Sequence, residues 1–434
     1  MVTLSRADIR RNVSLNLVGY GLPLVAALVA VPVLLDGLGP DRFGVVALAW
    51  TMVAVVGVLD LGFGRAMTQA LAARIGGGDV DRNGALIGTA AAITTVLGAL
   101  LSGGLLLVAP VIVFRVLEVP EWLRGETLDA LRVLAIAVPA VLVGNCLRGV
   151  VEARQRFGAL TALRACVGAA LLLGPVVALH VSPTLVPIMW TFVAVRWLAL
   201  AAFVVLARRA APVPWMFDAQ EAVSLARFGG WMTVSTVMAS LMLYADRFAV
   251  GSLLSLAAVA YYVAPFEVIN RLSVVPVAIM GVLFPAFSQL AASSSPELVE
   301  VYRRTLWTIG ALLAPPVLVI VVFSRPLLSF WLGPEVAGES AVVASILAAG
   351  ILIHSLVQPS FQLLQAAGRP AVPALFQLIE APVYAVYLVA LTLCCGIAGT
   401  AAAWLIRVTI SLVVQSWLAH RFVLSDFAAE KAES

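Results

Sequence analysis

A single lysine, Lys431, stands near the C-terminus of this 434-residue chain, and there are only three histidines and four cysteines. A Walker-type phosphate loop needs a lysine after its glycines to reach the nucleotide, so ATP-driven work by this chain is excluded. His180, His354 and His420 are far apart and no His-Glu-x-x-His run occurs, which removes the usual zinc-hydrolase arrangement. Cys146, Cys166, Cys394 and Cys395 lie inside apolar segments with no metal-ligand spacing, and are expected to be small core residues. Charge is scarce as well: 12% of residues are charged and 62% hydrophobic, with a mean hydropathy of +1.06. No soluble fold of this length hides so much apolar surface. The loops are too short for a soluble catalytic domain, and the chain is expected to be neither an enzyme nor a cofactor or metal binder.

What is present is a series of long apolar runs, near 13–38, 43–63, 85–113, 128–150, 160–181 and 186–206, then near 229–253, 257–288, 303–323, 341–363, 372–394 and 397–418. A spanning helix needs about 20 apolar residues, so the pattern predicts an all-α polytopic membrane protein of about twelve spans. The first run follows Arg6, Arg10 and Arg11 but continues to about Leu38, beyond the apolar core of a secretory signal, and reads as an uncleaved span. Nearly all loop arginines fall on every second connection. Arg65, Arg74, Arg82, Arg154, Arg156, Arg208, Arg209, Arg303, Arg304 and Arg369 lie on one side, against Arg42, Arg115, Arg124, Arg132 and Arg325 on the other. By the positive-inside rule both termini are expected in the cytoplasm. The excess of basic over acidic residues, 27 against 23, is spread over many loops and is an orientation signal, with no nucleic-acid partner implied.

The two series of spans resemble each other. Val151 to Arg156 after the fourth matches Leu364 to Arg369 after the tenth, and Arg196 sits midway along the sixth span as Arg407 does along the twelfth. Two parallel six-helix lobes are expected, residues 1–210 and 211–434. The longest inner connection, 207–226, reads as a hinge linker, with Asp218 three before Glu221 at the spacing of a helix cap. Several ionisable residues lie at membrane depth, where each costs roughly 3 kcal/mol or more and persists mainly beside a partner or a wet cavity. They are Arg196, Arg407, Asp60, Glu380 and the i, i+4 pair Glu267 and Arg271; Asp246 and Arg247 stand near a span end, where both are expected to reach the interface.

The order of several short phrases adds a resemblance. Asn16 to Gly21, Leu38-Gly39-Pro40-Asp41-Arg42-Phe43-Gly44, Leu59-Asp60-Leu61-Gly62-Phe63-Gly64, Tyr244 to Phe248, Tyr261-Tyr262, Leu283-Phe284-Pro285, Trp331-Leu332-Gly333 and Gln365 to Pro370 occur in sequence. Over residues 10–420 the chain resembles the polysaccharide flippases, the Wzx-like branch of the multidrug/oligosaccharidyl-lipid/polysaccharide exporter superfamily. That likeness implies twelve helices in two lobes and the transbilayer movement of undecaprenyl-pyrophosphate-linked sugar repeat units for O-antigen, capsule or exopolysaccharide in the inner membrane. The glycines in these phrases have structural explanations in turns and close helix approach.

With a diphosphate as substrate the buried arginines gain a role, because guanidinium groups hydrogen-bond phosphate in a planar, bidentate way and keep their charge. Arg271, Arg196 and Arg407 are the candidates for the pyrophosphate, His354 and Gln358 for sugar contacts, and Asp60, Glu267 and Glu380 for an exchanged ion. The competing reading is that Glu267 and Arg271 only neutralise each other and that the other arginines bridge helices. The partners so implied are a lipid-linked oligosaccharide, membrane lipid, a polysaccharide polymerase and a chain-length regulator. A cation-coupled drug exporter of the same superfamily and a non-transporting scaffold of a polysaccharide assembly complex are the alternatives.

Overall fold

A computed structural model describes residues 6–58, 67–68, 71, 74, 83–154, 157–223, 242–292, 296–369 and 371–424, apart from the side chains of 6–20, 58, 157, 282, 285 and 292. The described residues are helical almost throughout and contain no strand. In lipid, backbone N–H and C=O groups find no water, and the helix satisfies them within one segment. The chain divides into two compact units, Met1–Ala260 and Tyr261–Ser434.

The first unit holds α1 (Arg6–Val58), α2 (Asn83–Val111), α3 (Arg124–Ala135), α4 (Ala137–Ala153), α5 (Phe157–Leu179) and α6 (Leu185–Ala210). Then α7 (Leu256–Ile269) runs across the boundary into the second unit, which continues with α8 (Val274–Ala292), α9 (Glu297–Leu332), α10 (Pro334–Ala366) and α11 (Ala371–Ala419). Among the described residues nine helical segments are long and apolar enough to cross a membrane. Two of them exceed what one crossing needs. At about 1.5 Å per residue, 53 residues in α1 and 49 in α11 would be more than twice a bilayer core of about 30 Å if straight. Each bends at a glycine with positive φ, Gly39 (74°) and Gly396 (59°), a conformation that side-chain-bearing residues avoid. The seventh apolar run, 229–253, lies within the described residues only from 242 onward.

Packing follows the small residues. In the first unit α1 lies along α5, and α2 and α6 flank α4. Met67, Leu71, Ile87, Cys146, Leu147 and Val150 form one buried core there. A side chain at Gly44 would collide with the Leu256 carbonyl, so the glycine of that phrase permits close backbone approach. In the second unit α10 is sandwiched between α9 and α11, and a Cβ at Gly350 would collide with the fully buried Trp404 ring. Hydroxyls inside helices bond the carbonyl one turn back, as Thr51 does to Ala47 (2.9 Å) and Ser355 to Ile351 (2.7 Å), and so are satisfied without water. Outward faces are apolar: Leu107, Val386, Trp307 and Phe330 are largely exposed, as lipid-facing side chains must be. Cysteine departs from expectation. Only Cys146 is in a core; Cys166, Cys394 and Cys395 are exposed on helix surfaces, where a small apolar side chain meets lipid as readily as protein.

Three of the family-like phrases, those holding Gly39, Gly333 and Gly368, prove to be joints. Gly368 (φ 74°) ends α10, with its N–H bonding Gln365 O (3.1 Å) and the Arg369 N–H bonding Leu364 O (2.9 Å), the paired bonds of a glycine-terminated helix. Gly333 (φ 90°) ends α9, and Pro334 opens α10 at the position where a missing N–H costs nothing. Beside Gly39, Arg42 donates two bonds to Glu126 (3.0 and 3.2 Å), whose other oxygen accepts the Leu185 N–H (2.6 Å) at the start of α6. The connection after α6 is docked rather than loose. Met216 N–H bonds Gly84 O (3.3 Å), Asp218 N–H bonds the Thr89 hydroxyl (2.8 Å), and Glu221 takes two bonds of 2.8 Å from Arg74. Asp218 does cap a helix starting at Ala219, accepting from Gln220 N–H (2.7 Å), but the Glu221 carboxylate turns to Arg74 instead of back to the cap.

Candidate functional site

The bend at Gly396 folds α11 into two antiparallel arms, 371–395 and 397–419. Thr392 and Thr400 share a hydrogen bond of 2.9 Å beside the bend, and a Cβ at Gly399 would strike the Leu391 carbonyl, so the arms lie close together. Moving away from the bend in step, the arms next bring Tyr384 to Arg407 and then Glu380 to Ser411. Spacing puts Glu380, Tyr384 and Tyr387 (i, i+4, i+7) on one face of the first arm and Arg407, Ser411 and Gln415 (i, i+4, i+8) on one face of the second. The result is a polar strip in an otherwise apolar helix pair.

Glu380 and Arg407 are each 8% exposed. Their charges meet, but loosely: Arg407 Nη1 is 4.0 Å from a Glu380 oxygen. The other carboxylate oxygen accepts a short hydrogen bond from the Ser411 hydroxyl. The guanidinium lies 5.2 Å from the centre of the Tyr384 ring, which in turn packs edge-on against Tyr387 at 5.5 Å. Among the described residues Arg407 Nε, the Tyr387 hydroxyl and Gln415 Oε1 are buried with no hydrogen-bond partner. A guanidinium offers five donors; among the described residues none is used in a hydrogen bond, and its contacts there are the Tyr384 ring and the Glu380 carboxylate 4.0 Å away.

The other sequence candidates fall into place around this strip or apart from it. Glu267, in the last turn of α7, accepts a 3.4 Å bond from Arg271, which stands in the 3-10 turn Asn270–Ser273 between α7 and α8. That pair is the i, i+4 contact expected, though the helix is interrupted between its members; Arg271 Nε is buried without a partner. His354 and Gln358 touch at 3.4 Å on α10, and the imidazole ring lies 6.3 Å from Trp404, one turn from Arg407. Arg196 belongs to the first unit. It stands midway along α6 with no ion pair among the described residues and with its Nε buried and unbonded. Asp60 lies outside the described residues. Asp246 and Arg247 do not reach the interface as expected: they are 1% and 4% exposed, and Arg247 bonds the Thr51 hydroxyl at 3.1 Å. Thr51, itself fully buried, supplies the local acceptor that makes snorkelling unnecessary.

Tyr384, Tyr387, Ser411 and Gln415 were not singled out by sequence. The signal was available in the matching i, i+4 polar spacings on either side of one glycine, but only a bend at that glycine turns two stripes into a site. A second buried relay, Tyr302 hydroxyl to Ser360 (2.7 Å) and Ser360 to Ser416 (3.1 Å), ties α9, α10 and α11 together nearby in sequence. No group of three or more His, Cys, Asp or Glu side chains among the described residues is arranged to hold a metal.

A family profile described as polysaccharide biosynthesis protein matches residues 37–337. A relative from Shigella flexneri, whose name assigns it provisionally to O-antigen transport, is 26% identical over 415 residues, covering 95% of this chain and 98% of its own. Among solved structures, an inward-facing multidrug resistance transporter of the MATE family and MOP superfamily superposes with a TM-score of 0.73 at 14% identity, over 96% of this chain and 100% of that chain. A MOP superfamily transporter from Pyrococcus furiosus, described as having a binding pocket of reverse polarity, gives a TM-score of 0.65 at 13% identity, over 96% and 95%. At such identities the structural likeness is one of fold alone.

Proposed function

This chain belongs to the polysaccharide biosynthesis protein family, a Wzx-like member of the MOP exporter superfamily, and from that premise we propose that it flips undecaprenyl-pyrophosphate-linked oligosaccharide repeat units across the inner membrane. It is a multi-pass membrane protein whose relatives are named as transporters. In the proposed reaction the sugar repeat unit, destined for O-antigen, capsule or exopolysaccharide, crosses by alternating access between lobes 1–210 and 211–434, with both termini cytoplasmic. Arg271, Arg196 and Arg407 hold the diphosphate, His354 and Gln358 contact sugar, and the prenyl chain stays in lipid. A polymerase and a chain-length regulator act on the product.

The observation that carries this reading is the state of the buried arginines. Arg407 makes no hydrogen bond and Arg196 has no acid beside it among the described residues. A purely structural guanidinium at membrane depth is expected to find carbonyls or carboxylates for its donors, since each unmet one costs free energy. A diphosphate brings an anionic oxygen for every donor left open. With no nucleotide site, the free energy must come from an ion gradient or from removal of the product. A reconstituted assay following a fluorescent lipid-linked saccharide from one leaflet to the other tests the proposal; protein that moves no such lipid in either direction refutes it.

A second reading, a cation-coupled multidrug exporter, is favoured by the fold shared with MATE transporters. Accumulation of cationic dyes in the same vesicles separates the two, because open guanidinium groups repel such substrates. If a proton is exchanged, the amide variants of Asp60, Glu267 and Glu380 should include at least one whose transport ignores an imposed pH gradient. Topology is checked by reporter fusions at Val119, Pro183 and Gly333, expected outside, and at Gly77, Pro212 and Ser294, expected inside.

A further inference from the structure

We infer that Glu380 is the resident counter-anion of Arg407, holding the guanidinium until a phosphate of the lipid-linked substrate takes its place. This rests on the reading above that Arg407 binds the diphosphate, and adds to it an exchange of partners. The geometry points to it in three ways. The pair is buried, yet its closest approach is 4.0 Å, so Arg407 is neutralised without being hydrogen-bonded. The carboxylate is held from the far side by Ser411, which keeps it in place when the guanidinium turns away. Finally, among the described residues Arg407 Nε, the Tyr387 hydroxyl and Gln415 Oε1 are buried and without a hydrogen-bond partner, so donors and an acceptor for a further ligand are already present on the two facing stripes.

The exchange has a consequence for protons. When a phosphate oxygen displaces Glu380, the carboxylate is left buried with one hydroxyl and no cation, and burying an unpaired charge is costly. It therefore takes a proton, given up by a hydronium ion of the surrounding water, and forms a neutral carboxylic acid that can still bond Ser411. One phosphate charge enters the strip and one proton enters with it, so the net charge of the strip is unchanged, and the second phosphate charge of the ligand is left to the other arginines proposed for the diphosphate. The other groups whose charge acts on the pair are His354 on α10 and Tyr387 on the first arm of α11. Tyrosine titrates well above neutrality in general, so of the groups acting on this pair His354 is the competing source of a pH effect near neutrality.

The test is equilibrium binding of undecaprenyl diphosphate capped by one N-acetylglucosamine, whose two phosphate diesters keep constant charge, to full-length protein in neutral-lipid nanodiscs from pH 5.5 to 8. Wild type should bind more tightly as pH falls, by up to about tenfold per pH unit if one proton accompanies each ligand. Glu380→Gln should bind at pH 8 at least as tightly as wild type does at pH 6, with no slope, and His354→Gln should keep the slope. Should Glu380→Gln prove unfolded, Ser411→Ala serves: it loosens the carboxylate's hold, and binding at pH 8 should tighten several-fold. Wild-type slope and affinity in Glu380→Gln, or weaker binding in Ser411→Ala, overturns the exchange. An unchanged Kd in Arg407→Ala overturns instead the diphosphate reading beneath it.

Discussion

Arg196 in the first unit and Arg407 in the second occupy corresponding places, each midway along the helix that closes its series, but their surroundings differ in one respect. Arg407 faces an acid from the preceding arm, whereas α5 and α6 contain no aspartate or glutamate at all. If burial of a guanidinium always demanded a carboxylate, Arg196 would have one beside it among the described residues. What the contrast teaches is that the acid beside Arg407 is a local addition to a shared basic position. Such an addition either stabilises the second unit or controls when its arginine is available.

The comparison can be broken first by transport. Replacing Arg196 or Arg407 by Ala removes charge-assisted bonds of about 1.5–3 kcal/mol each to the proposed diphosphate, so flipping per folded molecule should fall about 10- to 100-fold in both. Lysine at either place, keeping charge but losing the planar fork, should restore only part. Rates normalised to monodisperse protein decide it: near-normal specific activity in both Ala variants would falsify the arginine-lined site.

Stability should then divide the two. Arg407→Ala leaves Glu380 buried without its cation and should cost about 3 kcal/mol, read as a lower thermal midpoint, while Arg196→Ala strands no acid and should cost little. Equal losses would mean that Arg196 has a partner as binding as Glu380. A control of intermediate size lies at Gly350, where valine collides with Trp404 and overpacking of about 1–3 kcal/mol should reduce the yield of folded protein. The smallest effect is expected at Glu126. Its change to Ala removes a part-buried ion pair with Arg42 and the acceptor for the first N–H of α6, about 1 kcal/mol together, with transport per molecule unaltered.

Much of the helical plan was legible from hydropathy, because lipid leaves a chain few choices beyond apolar helices of fixed length. Glu267 with Arg271 and His354 with Gln358 were legible too, since i, i+4 neighbours on a helix meet whatever surrounds it. Glu380 and Arg407 were visible singly as charges at membrane depth, but their meeting was not: it depends on a positive φ at Gly396, one of 33 glycines in an apolar sequence. The connection after α6 misled in the other direction. Its prolines suggest a free hinge, yet Gly84 and Gly88 at the start of α2 leave room for the Pro214 and Met216 backbone, and the segment is fastened there.

The fold of α11 also decides which forces act on its polar strip. Each arm is a helix with an electrostatic axis, partial positive charge at its first turn and partial negative charge at its last, and this field fades within about one turn of each end. Glu380 and Arg407 stand about ten residues into their arms, beyond the reach of either terminus. At Gly396 the negative end of the first arm abuts the positive start of the second, and the two largely cancel. Backbone dipoles therefore contribute little where the acid and arginine meet, and the potential there is set by a handful of side chains, so that one substitution can reset it.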